Sequence, residues 1–199
     1  MTISLWFLYV VTFGAAIALP GANAAYAVAQ GMTNGIRGGL MAASGFAIAT
    51  ALNQGIVLAG LGLLLSSHMD ILIYLKWAGV AYMLVLAYKA WRAAPSSHQQ
   101  AGSISRARIF FTAILVSLSN PKVILVNMML LPVYISADKP LAAQAVTILC
   151  TGAAISFSVY ASYAFFASKF ITRLKSKAAN NVVASIYASA AGALALVNR

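Results

Sequence analysis

The sequence predicts an all-α integral membrane protein of six transmembrane helices, arranged as two inverted three-helix repeats. Three observations predict it. Of the 199 residues, 62% are hydrophobic and only 8% charged, where soluble domains are about a quarter charged. The charges that exist divide the chain into apolar stretches of bilayer-spanning length. Two proline-centred interruptions, "LPGAN" at 19–23 and "SNPKV" at 119–123, occupy corresponding places in the two halves. The mean hydropathy of +0.89 agrees with the first of these.

About twenty apolar residues cross a bilayer. Residues 1–36, 38–69, 140–168 and 178–198 carry no charge, while 71–88 contains only Lys76 and 109–137 only Lys122. The six spans are therefore expected near 4–26, 40–66, 71–89, 109–132, 141–167 and 180–198. The first imitates a secretory signal, an apolar run followed by the small residues "GANAAYA". Its first basic residue is Arg37, however, so it lacks a positive n-region and reads as a retained helix. Spans 2 and 5 exceed a perpendicular crossing and should tilt or protrude. The polar loop "APSSHQQAGSIS" (94–105) reads as a linker between a first repeat of about 1–93 and a second of about 109–199, within one transmembrane domain.

Orientation follows from the basic loops. Arg37 follows span 1; Lys89, Arg92, Arg106 and Arg108 follow span 3; Lys169, Arg173, Lys175 and Lys177 follow span 5. The opposite side holds only Lys139 and Arg199. Loops 1, 3 and 5 should face the cytoplasm and both termini the outer side of the cytoplasmic membrane. The net charge of +11 is thus explained by the lipid bilayer as partner, and no nucleic-acid surface is expected.

The acids are Asp70 and Asp138, with no glutamate, and both should lie at the outer surface. With one cysteine, Cys150, an intrachain disulfide is excluded and a packing role expected. His68 and His98 fall near loops, so neither a metal site nor a cofactor is expected. An intramembrane enzyme has no support, since paired carboxylates and a membrane-embedded His beside a nucleophile are missing.

Three spans per half is an odd number, so the halves must have opposite orientation in the membrane. Paired Pro/Gly interruptions at corresponding places of such halves point to a central binding site. Proline frees a carbonyl in the preceding turn, and in hydrocarbon that group must find a partner. Half-helix N-termini favour carboxylates and exposed carbonyls favour ammonium groups. A zwitterionic amino acid needs both. The plain alternative, a proline kink used for packing, accounts for one break less awkwardly than for two matched ones beside Asn23, Asn120 and Lys122.

With these stretches in place the chain resembles the lysine exporter (LysE/RhtB) family of small bacterial amino-acid exporters over nearly its full length. The resemblance rests on "LPGAN", "GMTNGIRGG" (31–39), "LKWAGVAYMLVLAYKAWR" (75–92), "LSNPKVILV" (118–126) followed by "LLP", and "AAGALALVNR" at the end. By it, Pro20, Gly21, Asn23, Lys76, Gly79, Tyr82, Asn120, Pro121 and Lys122 match family positions. It implies secondary-active efflux of amino acids or related small metabolites; export of an ion or another small solute is the alternative, and a non-transporting scaffold a further one. Two departures stand out. Ala22 replaces the family's usual second proline, and "GFAIATALNQG" (45–55) offers Thr50, Asn53 and Gln54 where relatives often carry an acid in span 2.

An ionisable group within a span is a functional-site hypothesis by default. Lys122 follows the second break directly; Lys76, near the outer end of span 3, is as well explained by snorkelling. Asn53, Gln54 and Asn127 are either cavity-lining or interhelical hydrogen-bond partners. The candidate substrate-binding set is therefore Pro20, Gly21, Asn23, Asn53, Gln54, Lys76, Tyr82, Asn120, Pro121, Lys122 and Asn127. A lysine-lined cavity without an acid suits a zwitterionic or anionic substrate better than lysine. The glycines at 31, 35 and 39 offer a smooth packing face or a tight turn, Ala184, Ala188 and Gly192 a second ridge, and a homo-oligomer is compatible with either. Trp6, Tyr9, Trp77, Trp91 and Tyr134, near span ends, are expected as interface anchors.

Overall fold

The structure, a computed structural model, describes residues 1–19, 21–61, 105–136 and 139–170, with scattered helical positions between 77 and 92 and between 181 and 192. Among the described residues every regular element is helical. Helix α1 spans Ile3–Ala18, α2 Ala22–Ile56 with a π-helical turn Val57–Leu61 after it, α3 Arg106–Leu118, α4 Pro121–Leu130 with a 3-10 turn Leu131–Tyr134 after it, and α5 Leu141–Phe170. By length and composition alone the stretches 22–60 and 141–169 are each able to cross a membrane, the first with a reversal at Gly35 within it. The bent pair α3 and α4 makes a third if counted as one span. The greater part of spans 3 and 6, and the linker 94–104, lie outside the described residues.

α1 begins at Thr2, whose hydroxyl accepts from the Leu5 amide at 3.3 Å, the usual N-cap service of a threonine. It ends because Leu19 precedes a proline and takes the extended conformation (φ −62°, ψ 132°) that such a residue prefers. The chain re-enters helix at Ala22, after an extended Gly21. The second interruption repeats this logic. Asn120, before Pro121, is extended (φ −92°, ψ 104°), and Pro121 occupies the first turn of α4, where its missing N–H costs nothing. α3 and α4 meet at 60°.

α2 is folded back on itself. Gly35 has φ 65° and ψ −172°, a backbone region essentially closed to other residues, and it divides the helix into arms 22–34 and 36–56. A Cβ placed on Gly39 would sit 3.5 Å from the Gly31 Cα, whereas eight residues of straight helix rise about 12 Å. Gly31 and Gly39 both press on Ala164 of α5: a Cβ on Gly31 would meet the Ala164 carbonyl oxygen, with its Cα at 2.9 Å, and one on Gly39 would meet the Ala164 methyl. The glycine spacing thus serves both readings, the turn at 35 and close packing at 31 and 39. It also moves two boundaries: helix runs on from the expected end at 26 to 34 and resumes at 36 instead of 40. A glycine able to reverse the chain makes a longer connecting loop unnecessary.

Two buried clusters fill the interior. One gathers Tyr26, Phe46, Ile109, Val116 and Tyr160 with the alanines of α2. The other gathers Tyr9, Phe13, Ile17, Leu131, Tyr134 and Ile148. The second corrects two expectations, since Tyr9 and Tyr134 are buried against each other, with ring centroids 5.4 Å apart, and are not interface anchors. Position near a span end does not say which side of the helix a ring occupies. Trp77 and Trp91 are exposed, and so is Cys150.

Candidate functional site

The two interruptions meet. Asn23, in the first turn of α2, and Asn120, the N-cap of α4, are both buried and join through the Asn120 Nδ2, which donates to the Asn23 Oδ1 at 3.1 Å. Asn23 Nδ2 in turn donates to Ser117 Oγ at 3.0 Å, and the Lys122 backbone N–H donates to Asn120 Oδ1 at 3.1 Å. Each amide thereby uses both ends of its side chain, and the chain of bonds ties the first break to the second. Tyr160 of α5 is buried and borders the same group.

The carbonyls that α1 loses as helical acceptors at its C-terminus find partners from the second half of the sequence. Tyr163 Oη donates to the Ala18 carbonyl at 2.7 Å, and Lys122 Nζ donates to the Leu19 carbonyl at 2.8 Å. The Lys122 stem passes close to Gly21, where a Cβ would lie at an ordinary contact distance of 3.9 Å from Lys122 Cδ. α2 starts without a side-chain cap at Gly21, so its first N–H groups form an electropositive end at the break.

Around these groups lies a small cavity of about 10 Å³, lined by Ile17, Leu19, Gly21, Asn23, Ala24, Asn120, Lys122, Val123, Val126 and Tyr160. That is about the room one water needs. The cavity lies between the two apolar clusters, and Ile17 borders it from one while Tyr160 borders it from the other. Among the described residues Lys122 is the charged side chain on its wall.

Of the residues singled out in the sequence, Gly21, Asn23, Asn120 and Lys122 line this cavity, and Pro121 sits buried beside them at the start of α4. Pro20, Lys76 and Tyr82 lie outside the described residues. Asn53, Gln54 and Asn127 are buried but do not line it. Gln54 belongs to a second polar group, where its Nε2 donates to Tyr9 Oη at 2.7 Å and Tyr9 Oη donates to the Ile148 carbonyl at 3.4 Å. Gly152 makes this possible, because a Cβ there would come within 2.5 Å of the Tyr9 hydroxyl. Nearby on the same helices Thr50 Oγ1 donates to Ser156 Oγ at 3.0 Å, and Thr12 and Tyr134 share a bond of 2.6 Å. Asn53 Nδ2, Gln54 Oε1 and Asn127 Oδ1 are buried without a hydrogen-bond partner.

Sequence reasoning missed Ser117, Tyr160, Tyr163 and the Leu19 carbonyl. Ser117 stood three residues before Asn120, at helical spacing, and could have been found. The tyrosines carry no local mark, and a backbone carbonyl has no signature in sequence.

Comparison with known proteins names the family. The LysE type translocator family pattern matches residues 15–197. The chain is 32% identical to a homoserine/homoserine lactone efflux protein of Salmonella typhimurium over 193 residues, covering 94% of each. It is 29% identical to an uncharacterized membrane protein of Vibrio cholerae, covering 70% of this chain and 69% of that one. It is 25% identical to a leucine efflux protein of Salmonella choleraesuis, covering 90% of this chain and 89% of that one. No solved structure matches. A family pattern spanning nearly the whole sequence, with both of its breaks brought together in one buried polar cluster, shows that the chain belongs to the LysE type translocator family.

Proposed function

We propose that this protein is a secondary-active exporter of amino acids or related small metabolites, working by alternating access at the junction of its two broken helices. In this reading six spans form two inverted repeats in the cytoplasmic membrane, with both termini on the outer side. The observation that carries the reading is the junction itself. A membrane protein that only needed kinks would have no use for an inter-half Asn23–Asn120 bond with a lysine ammonium beside it. Buried polar networks in a low-dielectric setting are costly unless satisfied, and the Asn23–Asn120–Ser117 network is satisfied between two apolar clusters. The efflux activities for which the Salmonella relatives are named lend the substrate class its support.

At about 10 Å³ the cavity is too small for an amino acid, so a substrate enters only as the helices around it separate. No carboxylate lines the cavity among the described residues. Coupling then falls to the substrate's own charge in the membrane potential or to a lysine that exchanges protons.

Cells loaded with labelled lysine, threonine, homoserine and leucine test this, with and without a proton uncoupler and in Asn120→Ala and Lys122→Ala variants. We expect efflux of a neutral zwitterion that both substitutions cut severely. Undiminished efflux in both would remove the junction from the mechanism, and selective efflux of lysine would contradict the zwitterion reading.

A further inference from the structure

We propose that Lys122 is a tethered stand-in for the substrate's ammonium group, and that substrate binding is an exchange. The substrate's ammonium takes over the Leu19 carbonyl, and the released Lys122 ammonium takes the substrate's carboxylate. The proposal rests on the export reading above and adds to it the group by which a substrate is recognised.

The geometry at the first break carries it. The Leu19 carbonyl has lost its helical role and lies at the exposed rim of the cavity, where in hydrocarbon it needs a donor. Lys122 Nζ supplies one at 2.8 Å. This is the same chemistry an amino acid's ammonium would offer, at the place where it would have to sit. The remaining polar groups of the junction are committed elsewhere: both ends of the Asn23 and Asn120 side chains are engaged with Ser117, with each other and with the Lys122 backbone. Among these groups Lys122 alone combines a strong donor with a long flexible stem, and that stem passes close to Gly21.

The charges also balance. Without substrate, a carbonyl dipole faces one cation. With a zwitterion, the carbonyl still faces one cation and Lys122 faces an anion, so no group is left buried without a partner in either form. A compound with an ammonium but no carboxylate breaks the scheme, because it sets a second cation against Lys122 and gives it nothing in return.

The test uses efflux from proteoliposomes holding the purified full chain, corrected for protein-free vesicles, with two matched pairs of probes: homoserine with homoserine lactone, and leucine with leucinamide. Each pair shares its ammonium and differs in its carboxylate. In Lys122→Met the carboxylate-bearing member should lose about tenfold more efflux than its partner, the worth of one charge-assisted bond. Lys122→Arg, which keeps the charge, should restore the preference. The within-pair ratio is independent of how much protein folds. Equal losses within both pairs, or no loss in either, would overturn the exchange while leaving an exporter in place. Wild-type protein that moves none of the four probes would overturn the export reading and the exchange with it.

Discussion

At the scale of residues, the junction depends on two asparagines that satisfy each other. Replacing Asn120 with alanine removes the cap of α4 and leaves Asn23 Oδ1 buried without its donor. We expect a loss of about 1–3 kcal/mol in stability, measured by thermal unfolding in detergent. A double-mutant cycle with Asn23→Ala should show a coupling of about 1 kcal/mol, and additive effects would mean that the bond contributes nothing. Asn127 predicts the opposite sign. Its Nδ2 reaches only the Val123 carbonyl in its own helix at 2.8 Å, and its Oδ1 has no partner. Asn127→Leu should therefore stabilise the protein by about 1 kcal/mol; if efflux nevertheless falls, the amide is there for transport. What could be read from sequence follows from how local the chemistry is. Pro20 and Pro121 act on their own neighbours, so the breaks were legible, and the polar residues beside them were legible candidates. Whether Gln54 faced the cavity or Tyr9 depended on helix rotation, which an apolar sequence does not encode.

At the scale of elements, the fold turns on glycines that allow backbones to approach or reverse. Gly35 lies in a region of φ and ψ that other residues enter at a cost of about 1–3 kcal/mol. Gly35→Ala should lower the unfolding temperature accordingly, with efflux retained in the fraction that folds. Gly31→Leu should do more damage, because even its Cβ would overlap the Ala164 backbone, and little folded protein should survive size-exclusion chromatography. The repeat of glycines at 31, 35 and 39 announced close packing in the sequence. It did not announce the partner, since Ala164 stands 133 positions after Gly31 in the numbering and is one alanine among many.

At the scale of the whole molecule, the junction lies between one apolar cluster around Phe46 and Tyr160 and another around Tyr9 and Phe13, and in the alternating-access reading these are its two seals. Loosening one should favour opening on that side. In a Cys150→Ser background with a cysteine at Ala24, Phe46→Ala and Phe13→Ala should expose the cavity to a membrane-impermeant maleimide from opposite faces. Labelling from the same face in both would sink the two-seal picture. The unbroken course of α5, 30 residues and about 45 Å long, carries a mechanical consequence. Near its start it holds α1 through Tyr9 with Ile148 and Trp6 with Thr151. Near its end it holds the folded arms of α2 at Ala164. Val159, between these attachments, packs against both clusters. In the alternating-access reading proposed above, a stiff rod fastened near its two ends to two different helices acts as a seesaw: tilting it draws one seal apart as it presses the other together. On that reading the two sides are kept from opening at once by leverage, with no signal passed between them.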